Sequence, residues 1–131
     1  MRLNILLVDD EPSIKIGFRQ LTDWSKTPYT ICGTSGNGKE ALEYLQTHSV
    51  DIIITDLKMS VMDGISLIHA LKQNNSEIPI LVLSNYSDFE LVREALTAGA
   101  SDYILKANMT AESILEQLDK VAGSIQNIQK K

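Results

Sequence analysis

Carboxylates collect directly after two apolar segments of this sequence. Asp9, Asp10 and Glu11 follow the first apolar run of the chain, and Asp56 follows the third. Carboxylates packed close together repel one another, so such a cluster is tolerable when a divalent cation lies among them. An all-oxygen, carboxylate-rich ligand set is typical of Mg²⁺, which binds one or two carboxylates together with phosphate oxygens and water.

Two further residues could act on a phosphoryl group. Ser84 ends the fourth apolar run and Lys106 ends the fifth. A carboxylate can attack phosphorus and form an aspartyl phosphate. A metal ion and a lysine ammonium neutralise charge on the phosphoryl oxygens, and a serine hydroxyl donates a hydrogen bond to one of them. The set therefore predicts one nucleophile, metal-binding carboxylates, one hydroxyl and one cation acting on phosphate.

Because these residues lie far apart in the sequence, the fold must bring them together. Short apolar runs predict strands, and segments of three-to-four periodicity predict helices. The predicted strands are Leu3–Val8, Tyr29–Thr34, Ile52–Thr55, Ile80–Leu83 and Tyr103–Leu105, and the predicted helices are Pro12–Leu21, Lys39–Thr47, Ile65–Gln73, Asp88–Ala98 and a last one from Ala111. This alternation predicts an α/β fold, a flavodoxin-like doubly wound five-stranded parallel sheet of order 2-1-3-4-5 with five helices.

The carboxyl ends of parallel strands meet at one edge of such a sheet, and ligands bind there. Taken singly, each candidate has an ordinary explanation: Asp9–Asp10 could form a turn, Asp56 could cap a helix, Ser84 could be a strand-end hydroxyl, and Lys106 could be a surface lysine. Their arrival together at four strand ends argues for a shared site. Among the helix ends, we expect Ser87 or Asp88 to cap the fourth helix, Gly99 to end it and Thr110 to cap the fifth.

Composition narrows the class of protein. The 131 residues suffice for one domain, and 12 Lys and Arg against 17 Asp and Glu give a net charge of -5. Nucleic-acid binders are typically basic, so we expect DNA contact only through another domain. The single cysteine, Cys32, excludes an internal disulfide and is interpreted as a buried core residue. With no apolar run long enough for a membrane span and no signal peptide, we expect a cytoplasmic protein that does not bind membranes.

Four segments resemble the response-regulator receiver domains of bacterial two-component systems: ILLVDDEP, DIIITDLKMSVMDG, ILVLSNYSD and GASDYILKA. The likeness runs from Leu3 to about Val121. Two longer segments, FRQLTDWSKTPYTICGTSGNGKEALEYL and LSNYSDFELVREAL, are most similar to the subgroup with an AraC-type helix-turn-helix output.

The resemblance implies a phosphorylation-dependent switch that is not an enzyme in the ordinary sense but assists its own Mg²⁺-dependent phosphorylation and dephosphorylation. A sensor histidine kinase would supply the phosphoryl group, and an output domain would regulate transcription. The implied roles are phosphoacceptor for Asp56, direct metal ligand for Asp10, metal ligand largely through water for Asp9, carbonyl metal ligand for Lys58, switch hydroxyl for Ser84, phosphate contact for Lys106 and rotating aromatic for Tyr103.

Three positions depart from the family's usual pattern. Ser60 and Ala107 stand where the family usually has proline, the second directly after the lysine, where the peptide bond is often cis. A non-proline cis bond costs ~2.5–4 kcal/mol, so the Lys106–Ala107 bond is trans or else strained. Asn85 stands where the family usually has Ala or Gly, and its bulk is expected to crowd the route to Asp56.

Four other classes of site or protein share features with this sequence. The segment Gly33–Glu40 nearly matches a P-loop, but Glu40 stands where a hydroxyl should bind Mg²⁺, so it is interpreted as a turn opening the second helix. An FMN-binding flavodoxin needs a hydroxyl- and glycine-rich loop after the first strand. A phosphatase with an Asp nucleophile needs a second Asp where Lys58 stands. A degenerate receiver, acting as a phosphorylation-independent interaction module, usually lacks one of the acidic, hydroxyl or lysine residues.

The C-terminal helix carries a heptad stripe, spaced four, three, four and three, at Ile114, Leu118, Val121, Ile125 and Ile128. We expect a receiver domain over residues 1–122 and a helical extension or linker over 123–131. Ile114 and Leu118 should enter the core, whereas Ile125 and Ile128 have no obvious core to enter. They predict either a paired linker, with a homodimer on activation, or a frayed tail, which Gly123 favours.

Overall fold

The fold follows the predicted alternation of strands and helices. A computed structural model describes the backbone of residues 2–129 and the side chains of residues 2–125. The strands are β1 (Leu3–Val8), β2 (Tyr29–Ser35), β3 (Ile52–Asp56), β4 (Ile80–Ser84) and β5 (Asp102–Leu105); the helices are α1 (Pro12–Arg19), α2 (Gly38–Leu45), α3 (Gly64–Gln73), α4 (Phe89–Ala98) and α5 (Ala111–Gln129). All ten predicted elements are present, each with bounds within two residues of the prediction where both ends were predicted.

The five strands form one parallel sheet in the order β2-β1-β3-β4-β5, as predicted. The register between β1 and β2 shifts by one residue after Ile5, which pairs with Ile31, because Leu6 pairs with Gly33. Cys32 lies at this irregularity, where it packs against a hydrophobic core layer but is only half-buried, so its predicted packing is confirmed and its predicted full burial is wrong. A bulged residue leaves the regular alternation of the strand.

Successive side chains of β1 point to opposite faces of the sheet and pack into two separate hydrophobic layers. Ile5 and Leu7 pack with α1 and α5 on one face of the sheet. Leu6 and Val8 pack with α2, α3 and α4 on the other. Since both faces are covered, the central strands are apolar almost throughout. No helix in the described part of the chain is long and apolar enough to cross a membrane.

The helix ends agree with the sequence except at Asp88. Gly99, at φ 123°, ends α4 as predicted, and the Thr110 hydroxyl caps α5 by accepting the Ser113 N–H at 3.1 Å. Asp88 occupies the capping position of α4 without making the side-chain bond of a cap. Its carboxylate instead accepts the N–H of Asn85. The predicted position of the cap is thus confirmed, but the predicted hydrogen bond from the cap to the helix is wrong.

Helix α5 continues past residue 122 to Gln129. Ile125 is partly buried against the core layer that contains α1 and α5, so the expectation that it has no core to enter is wrong. The side chain of Ile128 lies outside the described residues. The heptad spacing therefore reflects, over its described length, packing within the domain. The domain boundary at residue 122 stays a prediction.

Gly64 fixes how closely α3 approaches the end of β3. A Cβ atom at Gly64 would lie 2.3 Å from the Asp56 carbonyl oxygen and 3.0 Å from the Leu57 Cα, both of them backbone atoms. We expect Gly64→Ala to push α3 away from β3 and to lower the free energy of unfolding by about 1–3 kcal/mol. Urea unfolding measures the change.

The matched control is Gly17→Ala in α1, where a Cβ atom would meet nothing within 4 Å. Removing a helix glycine at an open position should raise the free energy of unfolding by about 0.5–1 kcal/mol. A Gly64→Ala protein as stable as the wild type would show that α3 is not held at this distance.

Candidate functional site

The candidate residues meet at one edge of the sheet because each stands at the carboxyl end of a strand. Asp9 follows β1, Asp56 ends β3, Ser84 ends β4 and Lys106 follows β5. Asp9, Asp10, Glu11 and Asp56 each place a carboxylate oxygen within 4.8 Å of one another. The convergence expected from the strand pattern is thus present in the structure.

Lys106 reaches into this carboxylate cluster. Its Nζ lies 3.1 Å from Asp56 Oδ2, 3.1 Å from Glu11 Oε1 and 3.5 Å from Asp9 Oδ2. Burial alone would lower the pKa of Lys106, but the contact with Asp56, supported by Glu11 and Asp9, raises it above its ordinary value. The Lys106–Ala107 bond is trans, so this contact forms without a proline after the lysine.

Asp9 and Asp56 are both buried at this edge. One oxygen of Asp9 accepts the Glu11 N–H at 2.9 Å, while its Oδ2 has no hydrogen-bond partner among the described residues. Burial, aided by the charge of Asp56, raises the pKa of Asp9 against the opposing effects of that hydrogen bond and of Lys106. A buried oxygen that has an ion-pair partner in Lys106 but no hydrogen bond within the described residues, among crowded carboxylates, fits a hard divalent cation, for which Asp9, Asp10 and Asp56 offer oxygen ligands.

Glu11 belongs to the site although the sequence analysis assigned it no role. It is the third residue of the acidic run after β1, and its carboxylate contacts Lys106. The signal was present in the run of three acidic residues. Only the structure shows that Glu11, directly before α1, directs its carboxylate toward Lys106.

The hydroxyl of Ser84 is buried and has no hydrogen-bond partner among the described residues. Leaving a buried hydroxyl unpaired costs about 1–3 kcal/mol, so this group is available as a donor to an oxygen that arrives in the site.

Tyr103, on β5, is 42% exposed, and together with Asn85 it lines a groove between α4 and β5. Asn85 is exposed; its expected effect on access to Asp56 stays a prediction.

The loop after Asp56 follows a strained path. Met62 donates its N–H to the Ser60 carbonyl at 2.8 Å, and Val61 between them has φ 68°, which is a γ-turn that a β-branched residue rarely adopts. Ser60, at the start of this turn, stands where the family usually has proline. Lys58, in the same loop, directs its ammonium away from the carboxylates to Asp88 at 2.9 Å.

The P-loop-like segment does not form a phosphate cradle. Gly33 belongs to β2 and Gly38 begins α2, with Asn37 capping the helix through the Glu40 N–H at 2.9 Å. The Glu40 carboxylate accepts the N–H of Gly36 and fills the turn. The interpretation of this segment as a turn opening the second helix is confirmed.

Comparison with known proteins gives a consistent result. Residues 5–119 match the family model of the response regulator receiver domain. The uncharacterized transcriptional regulatory protein YesN of Bacillus subtilis is 33% identical over 129 residues, which are 97% of this chain and 35% of that protein. The transcriptional regulatory protein HptR of Staphylococcus aureus is 29% identical over 78% of this chain and 40% of its own length. The chain thus spans well under half the length of these relatives.

Solved structures show the same fold. The receiver domain of AraT, a response regulator from Geobacillus stearothermophilus, superposes with a TM-score of 0.87 at 29% identity, covering 98% of this chain and 99% of that one. The receiver domain of the Francisella response regulator 1452 gives a TM-score of 0.80 at 26% identity, covering 95% and 99%.

Lys106 is expected to hold the carboxylates together when no metal is present. Lys106→Met should lower the free energy of unfolding by about 3 kcal/mol, because Asp9 and Asp56 lose a cation in a buried setting. Added Mg²⁺ should offset part of this loss, since binding to the folded state stabilises it. Urea unfolding with and without millimolar Mg²⁺ measures both effects.

The control is Lys72→Met, which removes an exposed lysine from α3. It should leave stability almost unchanged. If Lys106→Met were as stable as this control without Mg²⁺, the ammonium would not be compensating the carboxylates.

Proposed function

The chain belongs to the response regulator receiver family, and from this premise we propose that Asp56 accepts a phosphoryl group in a Mg²⁺-dependent reaction that switches the conformation of the domain. The observation that carries the proposal is the contact of Lys106 Nζ with Asp56 Oδ2, 3.1 Å apart, inside a cluster of carboxylates at one sheet edge. No observation favours the degenerate receiver, because the acidic, hydroxyl and lysine residues are all present.

In the proposed reaction, a carboxylate oxygen of Asp56 attacks phosphorus, and the bond from phosphorus to the donor breaks. The donor would be a phosphohistidine of a sensor kinase or a small acyl phosphate. Lys106 Nζ contacts Asp56 Oδ2, so its ammonium would lie beside a phosphoryl group carried by this carboxylate and would neutralise charge on the phosphoryl oxygens. Asp10, Asp9, Asp56 and the carbonyl of Lys58 would hold Mg²⁺, which supplies further charge neutralisation when bound.

Ser84 and Tyr103 would report the phosphoryl group to the surface. The buried Ser84 hydroxyl lacks an acceptor, and a phosphoryl group on Asp56 would bring new acceptor oxygens to the same sheet edge. When the hydroxyl turns toward them, we expect the half-exposed ring of Tyr103 to turn inward. Such a two-state packing change, biased by local charge, would alter the face formed by α4, β5 and α5.

The longer protein would use this switch to regulate transcription. The relatives that are named transcriptional regulators are more than twice the length of the matching segment, so we propose a DNA-binding output domain outside this chain. A sensor histidine kinase would be the upstream partner, and the setting would be the cytoplasm. A homodimer on activation remains part of the proposal. The described part of the α5 stripe packs within its own domain, so pairing would need residues beyond Ile125 or another face.

Asp56→Asn should abolish phosphorylation, because the amide is not a nucleophile toward phosphorus. Intact mass after incubation with acetyl phosphate should show one added phosphoryl group on the wild type, only when Mg²⁺ is present, and none on the variant. The exposed Glu94→Gln variant controls for the loss of one carboxylate and should behave as the wild type. An equal gain of mass on Asp56→Asn would place the phosphoacceptor elsewhere.

Ser84→Ala should leave Asp56 able to accept the phosphoryl group while weakening the conformational response. Amide chemical shifts around Tyr103, recorded before and after phosphorylation, measure that response. Ser101→Ala, an exposed residue just before β5, serves as the control and should respond fully. Equal shift changes in Ser84→Ala and the wild type would separate the hydroxyl from the switch.

A further inference from the structure

A buried carboxylate outside the phosphoacceptor site connects two of the loops that surround it. Asp88 Oδ1 lies 2.9 Å from Lys58 Nζ, and the Asp88 side chain is 1% exposed whereas that of Lys58 is 65% exposed. Burying a charged carboxylate is unfavourable unless a partner compensates it. The pair thus joins the loop after β3 to the connection between β4 and α4.

The second oxygen of Asp88 extends this connection to the switch hydroxyl. Asp88 Oδ2 accepts the N–H of Asn85 at 3.0 Å, and Asn85 directly follows Ser84. The backbone N–H of Asp88 in turn donates to the Asn85 carbonyl at 3.0 Å. Because Lys58 is two residues beyond Asp56 and Asn85 directly follows Ser84, the Asp88 carboxylate links the loop that follows the phosphoacceptor to the residue after Ser84.

We propose that Asp88 is a positioning residue that, through its ion pair with Lys58, holds the β4–α4 connection and Ser84 in the resting arrangement and so opposes the phosphorylated one. The inference rests on the proposed role of Asp56 as phosphoacceptor. It assigns a role to the side chains of Lys58 and Asp88. Neither the proposed phosphoryl transfer at the carboxylate cluster nor the proposed movement of Tyr103 involves these two side chains.

The physical argument is a competition for one ammonium. A phosphoryl group adds roughly 1.5 to 2 negative charges two residues from Lys58. Any rearrangement that draws Lys58 away from Asp88, or moves Asp88 with the connection, leaves a buried carboxylate without its cation. Since the ion pair stabilises the resting arrangement, it lowers the population of the other one.

The charge state of Asp88 agrees with this role. Burial would raise the pKa of its carboxyl, but the Asn85 N–H and the Lys58 ammonium outweigh that effect and lower the pKa below its ordinary value. Asp88 is therefore ionised in the resting protein at neutral pH.

The substitution Asp88→Asn separates charge from shape. An asparagine keeps an acceptor oxygen for the Asn85 N–H and nearly the same volume, but removes the charge that holds Lys58. Lys58→Met removes the ammonium and keeps the backbone carbonyl. Glu90→Gln, an exposed carboxylate in the first turn of α4, is the matched control for charge.

Beryllofluoride, which mimics a phosphoryl group on a carboxylate, is the probe, titrated with Mg²⁺ present and followed by amide chemical shifts. We expect its dissociation constant to fall about three- to tenfold in Asp88→Asn relative to the wild type and Glu90→Gln, because the resting state has lost a stabilising contact. Without the probe, the Ser84 and Tyr103 amides of the variant should already move part of the way toward their positions in the bound wild type.

The double variant Lys58→Met/Asp88→Asn should bind the probe no more tightly than Asp88→Asn alone, since the ion pair is already absent from Asp88→Asn. A merely structural role would reduce stability in urea without moving those amides toward the bound positions. Binding in Asp88→Asn equal to or weaker than in Glu90→Gln, with amides unmoved, would overturn the inference. Failure of the wild type to bind beryllofluoride would overturn the proposed function itself, and the inference with it.

Discussion

The arrangement of this sheet edge depends on the ammonium of Lys106, which lies within 3.5 Å of three carboxylates. The Lys106 side chain must extend past the end of β4 to reach them. This is because β4 lies between β3, which ends in Asp56, and β5, which leads to Lys106. Neighbouring strands are about 4.8 Å apart, so only a long side chain spans two of them. The residue ending the intervening strand must be short, and it is Ser84. The order of the strands therefore accounts for a long side chain at Lys106 and a short one at Ser84, because together they allow Lys106 to contact Asp56.

Lys106 compensates the negative charge without satisfying every group that surrounds it. Asp9 Oδ2 and the Ser84 hydroxyl are buried without hydrogen-bond partners among the described residues. A buried polar atom without a hydrogen bond is unfavourable, and a cation or a phosphoryl oxygen would supply the missing partner. These two atoms therefore favour the binding of a cation or a phosphoryl group at this sheet edge.

Much of this could be predicted from the sequence because strands buried on both faces are apolar runs, and residues that end them share an edge. The same reasoning could not find the contact of Lys58 with Asp88, since it joins two loops thirty residues apart and leaves no periodic pattern. Glu11 was visible only as part of an acidic run. Ile125 was assigned no core because the sequence does not show how far α5 extends along the sheet. Cys32 is less buried than expected because it lies at a shift in strand register, and the local sequence gives no indication of that shift.

The distribution of burial indicates which parts of the domain can respond to a new charge. Ile53 and Val82, on β3 and β4, are fully buried, and close-packed protein interiors resist displacement. The connection between β4 and α4 differs, because Tyr86 is 72% exposed and the Asp88 carboxylate links this connection to Lys58 in the loop after β3. If phosphorylation alters the contact of Asp88 with Lys58, as proposed above, we expect the connection to move before a strand does. Because α4 begins at Phe89, such a displacement would reach α4 and the groove that it forms with Tyr103. In this proposal the sheet holds the reacting groups in place, and the connection beside it transmits the change to the surface.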